Sequence, residues 1–250
     1  DLLTFVQLGN EKFYVNAGEI SNKGFEFAAS WKDKITDDFN YSVSGNLTTI
    51  KNKVNAVYTD GFEVFDGPTR LSAGSPIGAF YGYEVEGVYQ SYADILNSPI
   101  STLGSYDVGD LKFKDINGDG IIDANDRKTI GNPTPDISYG FAVNLNYKNF
   151  SLSADFQGVY GNEIWRDWGN GSTFAQFNYR TDRLNAWNGP GTSNWEPRLN
   201  DASGYNTNNR STYMIEDGSY LRLRNIQLGY NFNSDFLNKL NISTLRLYLS

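Results

Sequence analysis

Apolar and polar residues alternate along several stretches of this chain. In Asn16–Trp31, Phe25, Phe27, Ala29 and Trp31 share one parity, and Glu26, Ala28 and Ser30 the other. Phe39–Ile50 sets Tyr41, Val43, Gly45 and Leu47 against Ser42, Ser44, Asn46 and Thr48. The pattern resumes at Ile137, with Tyr139, Phe141, Val143, Leu145 and Tyr147 opposing Ser138, Gly140, Ala142, Asn144 and Asn146. Beyond a short turn at Lys148–Asn149, Phe150, Leu152, Ala154, Phe156 and Gly158 oppose Ser151, Ser153, Asp155 and Gln157. Ser219–Phe232 and Ile242–Ser250 follow, and Leu2–Leu8 is a short apolar piece at the start. A period of two puts successive side chains on opposite faces of a strand. The spacing therefore predicts an all-β chain of about seven antiparallel strands and no long helix.

One strand breaks its own parity. In Tyr220–Phe232 the apolar residues are Leu221 and Leu223, then Ile226, Leu228, Tyr230 and Phe232. A strict pleat would send one set to the wrong face. One extra residue near Arg224–Asn225, a β-bulge, restores both sets to a single face.

Between the strands the connections alternate in length. Lys32–Asp38, Lys148–Asn149 and Asn233–Asn241 are short, whereas 51–136 and 163–218 are long, irregular and polar. Within the first long segment, Ile77–Gln90 reads as a hairpin. Strands of roughly 10–16 residues exceed the usual globular length of about 5–6. Short turns at one end and long loops at the other describe a transmembrane β-barrel, with the short turns periplasmic and the long loops extracellular. Trp31, Tyr41, Tyr139, Tyr147, Phe150, Tyr160 and Tyr230 fit its aromatic girdles; in a soluble sandwich the same residues would be core. On a barrel, Arg222, Arg224 and Arg246 should face the watery lumen, because arginine on the lipid face is costly.

Composition narrows the chemistry. The chain carries 21 basic and 29 acidic residues, a net charge of −8, so nucleic acid is not an expected partner. It has no cysteine and no histidine, which removes disulfides, thiol chemistry, zinc–histidine sites and His-based triads. The mean hydropathy is −0.49 and no run approaches the about 18 apolar residues of a membrane helix, a measure that does not register an alternating barrel strand. No signal peptide opens the chain, and DLLTFVQL reads as the middle of a strand, so a longer protein is expected.

The clearest motif is DINGDGIIDAND, residues 115–126. Its spacing is that of an EF-hand-type calcium loop, without the flanking helices. Calcium takes six to eight hard oxygens, so a short loop must turn alternate side chains inward. Asp115, Asn117, Asp119 and Asp123 would supply side-chain oxygens, and Ile121 its backbone carbonyl. Asp126 would close the shell with a shorter arm than the usual glutamate. Gly120 would make the sharp turn and Ile122 would anchor the loop in apolar surroundings. Without metal, the same string is an Asx-rich turn. The expected role of Ca2+ is structural.

In 163–218, Trp165, Trp168, Trp187 and Trp195 accompany Arg180 and Arg183. Such residues stack on sugars or pair with carboxylates of a cargo, or meet a protein lid. Equally, a long ordered loop needs a small core of its own. The pair Asp107 and Asp110 has the composition of a glycosidase dyad, but nothing else supports catalysis, and no enzyme is expected.

Longer strings add a resemblance. RLSAGSPIGAFYGYEVEGVYQ, DLKFKDINGDGIIDANDRKTIGNPTPDISYGF, SYLRLRNIQLGYNF and NAGEISNKGFEFAASWK are similar to the C-terminal barrel half of SusC/RagA-like TonB-dependent outer-membrane transporters. The resemblance implies a barrel of about 22 strands around a plug, in the outer membrane of a Gram-negative bacterium. It also implies a SusD-like surface lipoprotein as lid, TonB as energy source, and oligosaccharide or peptide as cargo. The plug and a last strand would lie outside these residues. A reading from another class, a secreted calcium-dependent glycan-binding β-protein, is separated from it by solubility without detergent.

Overall fold

The computed structural model describes residues 3–6, 12–15, 18–59, 61–166, 181–199, 204–232 and 242–250. It is all-β apart from short helical turns, and forms two compact units. One comprises residues 22–52, 134–162 and 218–250, and the other residues 1–21, 53–133 and 163–217.

The first unit is built on a six-stranded antiparallel sheet. Its strands are β1 (Gly18–Thr36), β2 (Phe39–Val57), β3 (Ile137–Tyr147), β4 (Phe150–Tyr160), β5 (Tyr220–Asn231) and β6 (Arg246–Leu249). They lie in simple order from β1 to β6. The register explains why the alternation was legible. Rows run straight across the sheet: Val43, Val143, Ala154 and Ile226; Gly45, Phe141, Phe156 and Leu223; Leu47, Tyr139, Gly158 and Leu221. Between them run polar rows such as Ser42, Asn144, Ser153 and Gln227. The apolar face is unburied: Phe25, Phe27, Trp31, Leu221, Leu223, Ile226 and Leu228 are all exposed. Water does not favour so wide an apolar surface.

The bulge is where the parity change puts it. Asp155 pairs with Asn225 and the next residue, Phe156, with Leu223, which leaves Arg224 as the extra residue. Leu221, Leu223, Ile226 and Leu228 consequently share the face of Phe141 and Phe156. Arg222 stands opposite Gln157 in a polar row, and the Arg246 guanidinium donates to Ser151 Oγ at 3.1 Å. Deleting Arg224 should therefore straighten β5 without moving any apolar residue, and the protein should still give heat-modifiable gel migration. Deleting Gln227 instead should transfer Leu228 and Tyr230 to the polar face and abolish that folded band.

Several boundaries differ from expectation. β1 runs on to Thr36 and meets β2 through a two-residue turn, so Lys32–Thr36 is strand and not turn. β2 continues through Val57, so the long excursion begins near residue 58 and not 51. Backbone pairing extends these strands where hydrophobic alternation has already stopped. Leu3–Val6 pairs with Lys12–Val15 in a separate two-stranded sheet, so the opening apolar piece is not a strand of the large sheet. At the short turns, Phe39 meets Tyr147, Phe150 meets Tyr230 at 4.7 Å between ring centres, and Tyr230 meets Phe232. Asn233–Asn241 lies outside the described residues.

In the second unit, Ile77–Gln90 is not a hairpin. Phe80–Gly82 pairs with Lys128–Gly131, while Val85–Val88 pairs with Leu111–Phe113. Each half thus finds a partner far along the chain. Glu163–Trp165 pairs with Ile215–Asp217, which closes the ends of the second long loop on each other.

Candidate loop site

The loops fold around a core of Tyr83, Val88, Leu111, Phe113, Ile122, Tyr205, Tyr213 and Met214. Tyr106 stacks between Tyr89 and Tyr205, with ring centres 5.4 and 5.3 Å away. Burial raises the Tyr89, Tyr205 and Tyr213 hydroxyls above the ordinary phenol range. Tyr213 is pushed up to about 12, first by burial and then by its hydrogen bond to Glu196 Oε2 at 2.6 Å.

A charge cluster ties the two long loops together. Asp110 is fully buried. It accepts from Arg198 Nε and Nη2, both at 2.9 Å, from Asn206 Nδ2 at 2.9 Å and from the Asp107 amide at 2.8 Å. Arg198 is raised above its usual value chiefly by that hydrogen bond. A carboxylate held in this way is a structural anchor.

The 115–126 loop curls on its own backbone. Asp115 accepts from Gly118 N at 2.6 Å and Gly120 N at 2.8 Å, Asn117 from Asp119 N at 3.0 Å, and Asp119 from Ile121 N at 2.9 Å. The Gly120 amide, first, holds the Asp115 carboxyl below the usual carboxylate range. Gly120 has φ +83°, a left-handed turn that suits glycine. Ile122 is fully buried in the core, as an anchor should be. Asp126 is also fully buried, accepting from Ile116 N at 2.9 Å and Asp123 N at 2.8 Å. It forms a reciprocal capping box with Asp123. No group of three acidic side chains gathers closely enough to hold a metal among the described residues. The oxygens face inward and are already used by amides, so the loop holds its curl as an Asx turn.

Among the described residues, most of the aromatic and basic side chains of the second loop pack inward. Trp165 lies against the core and 5.8 Å from the Phe80 ring. Trp187 donates its indole N–H to Gln90 Oε1 at 3.2 Å, and Arg183 donates to the Tyr213 hydroxyl at 3.3 Å. Trp195, at 46 % exposure, keeps a face open. Trp168 and Arg180 lie outside the described residues. Alternation cannot identify such a core, because the loop has no period. Arg166, missed at the sequence level, is buried and lies over the Tyr213 ring at 4.5 Å, 3.5 Å from Glu216.

No family profile matches the chain. It is 36% identical over 249 residues to the TonB-dependent receptor P3 of Formosa agariphila, covering 94% of this chain and 24% of that receptor. The TonB-dependent receptor SusC of Bacteroides thetaiotaomicron is 28% identical over 254 residues, covering 94% of this chain and 23% of SusC. This chain is a homologue of SusC-type TonB-dependent receptors. It spans about a quarter of the length of the curated relatives it matches. The fold of the receptor homologue also matches one chain of the RagAB peptide transporter, with a TM-score of 0.74 at 21% identity, covering 95% of this chain and 25% of that one. These relatives carry the names of receptors and transporters, not of enzymes.

Proposed function

We propose that the receptor homologue is part of the wall and external loops of a β-barrel in the outer membrane of a Gram-negative bacterium. One observation carries this reading: a bulged, in-register antiparallel sheet with one continuous exposed apolar face and one polar face. Lipid accommodates the first and a water-filled lumen the second. Barrel closure requires further strands on both edges of the sheet, in keeping with the quarter of each relative that the chain spans. On this reading the barrel imports nutrients with TonB-coupled energy under a SusD-like lipoprotein lid. Support for transport comes from the names of the relatives. Oligosaccharide and peptide both remain within the cargo class. The chain itself performs no bond chemistry.

The short turns then lie in the periplasm and the long loops outside. The 115–126 loop would take structural Ca2+ through Asp115, Asn117, Asp119, Asp123, Asp126 and the Ile121 carbonyl. Support comes from the ligand spacing and from the inward curl of the loop around the Asp115 carboxylate. The carbonyls of Gly120 and Ile122 accept from Ile100 and Thr102. By alternation along the strand, that of Ile121 points away from this partner.

Protease added to intact cells tests both statements. Cleavage within 58–133 or 181–217 is expected without breaching the outer membrane, and chelator should accelerate cleavage near 115–126. Cleavage only after the membrane is opened would reverse the topology. A digestion rate indifferent to chelator and to added calcium would remove the metal and leave the Asx turn.

A further inference from the structure

The strand Phe80–Gly82 and the segment Asn208–Thr212 meet through their backbones. The Tyr83 amide donates to the Arg210 carbonyl at 2.8 Å, and the Thr212 amide to the Tyr83 carbonyl at 2.9 Å. Gly82 permits the approach, since a Cβ there would run into the Arg210 carbonyl. The junction forms one wall of a cleft of about 150 Å³ lined by Phe65, Tyr81, Tyr83, Arg127 and Arg210.

Two arginines, Arg127 and Arg210, line this cleft. Arg127 is steered by its Nε donating to the Ala124 carbonyl at 3.2 Å, and its guanidinium is 5.5 Å from the Tyr81 ring. Arg210 is placed by the backbone bond to Tyr83. Among the described residues neither has an ion-pair partner. Their neighbour Arg70 does: it covers the Tyr81 ring at 3.9 Å and pairs with Glu63 at 3.2 Å. The nearby carboxylates accept from backbone amides and form no ion pair with Arg127, Asp123 accepting from Asn125 N and Asp126 from Ile116 N and Asp123 N. In a chain with 29 acidic and 21 basic residues, a partner for each arginine would be easy to supply. Two arginines without an ion-pair partner at one small cleft favour an anion there.

We propose that this cleft binds a carboxylate carried by a single ligand unit, either a uronic sugar ring or the free carboxyl end of a peptide. The planar arginine fork matches a carboxylate's two oxygens. Phe65 leaves about half of its ring open beside it, an apolar face for the body of the unit. The volume is below the about 300–1,000 Å³ of sites that enclose drug-sized ligands, so one sugar or one amino-acid residue fits and an oligomer does not. Binding here does not depend on the transporter reading, and it is measured without a membrane gradient.

The test is calorimetry on the full-length receptor in detergent with four probes: glucuronate, glucose, N-acetylalanine and N-acetylalanine amide. Saturable binding of glucuronate or N-acetylalanine is expected, at least tenfold tighter than its neutral counterpart. The tighter of the two acids identifies the source of the carboxylate. The double variant Arg127→Gln, Arg210→Gln should lose at least tenfold in affinity, whereas Arg222→Gln, on the sheet, should not change it. Both cleft arginines are exposed, so unchanged circular dichroism and gel migration are expected for the variant. Equal binding of acid and neutral probes, undiminished binding by the double variant, or no saturable binding of either acid would overturn the assignment.

Discussion

Leu223→Arg is expected to lower folding stability in a bilayer by about 2–4 kcal/mol, the cost of arginine at the lipid midplane of a barrel. Leu223 faces the same side as Phe141 and Phe156, in a row that crosses β3 and β4 near their middles, and is half exposed. In the proposed barrel that exposure is to lipid, which cannot hydrate a guanidinium. The neighbouring Arg222 already carries this group on the polar face, opposite Gln157. The paired variant Arg222→Gln should therefore be nearly neutral. Urea unfolding from liposomes, read by the loss of heat-modifiable migration, separates the two. An equal response of both positions would mean that the two faces see the same solvent, and the membrane reading would fail.

Asp110→Ala is expected to have a comparable effect, on the loops and not on the sheet. The substitution strands Arg198, the Asn206 amide and the Asp107 N–H around an empty space. Breaking a buried pair by removing one partner costs about 3–5 kcal/mol. The Arg198 side chain is 30% exposed and recovers part of its hydration, so about 3 kcal/mol is expected. Arg198 and Asn206 belong to the second long loop and Asp110 to the first, so the loss falls on their mutual docking. Limited proteolysis within 181–217 should speed up at least tenfold while the gel migration of the folded protein persists. Asp110→Asn keeps the shape and one acceptor oxygen, and should fall between the two.

The loop carboxylates add a pH dependence with a definite sign. Asp115 is depressed by the Gly120 and Gly118 amides. A depressed carboxyl contributes stability above its unfolded value and loses it as pH falls through the folded one. The turn should consequently survive acidification to below the ordinary aspartate range of about 3.9 and then open. Amide exchange at Gly118 and Gly120 reports the opening. Release at or above that ordinary range would show that these amides do not hold the carboxylate.

The sequence by itself determined the sheet. Each residue of Ile137–Tyr160 sees one of two solvents, and a period of two records that choice directly. Even the bulge at Arg224 was legible, because one extra residue is the local way to keep Leu223 and Ile226 on one face. The curl of Asp115–Asp126 was legible for a related reason: the hydrogen bonds of its side chains stay within the motif, none spanning more than ten positions. What only the tertiary structure decided is the interior of the loops. Asp110 meets Arg198 across 88 residues, and Trp187 meets Gln90 across 97. Such contacts leave no period and no short motif. They form because a long polar excursion must bury some apolar surface to offset the entropy of ordering its backbone. The same rule turned Trp165, Arg183 and Trp187 inward. It also placed Arg127 and Arg210 at one cleft, although they stand far apart in the chain, because both flanking segments dock on the backbone of Phe80–Tyr83.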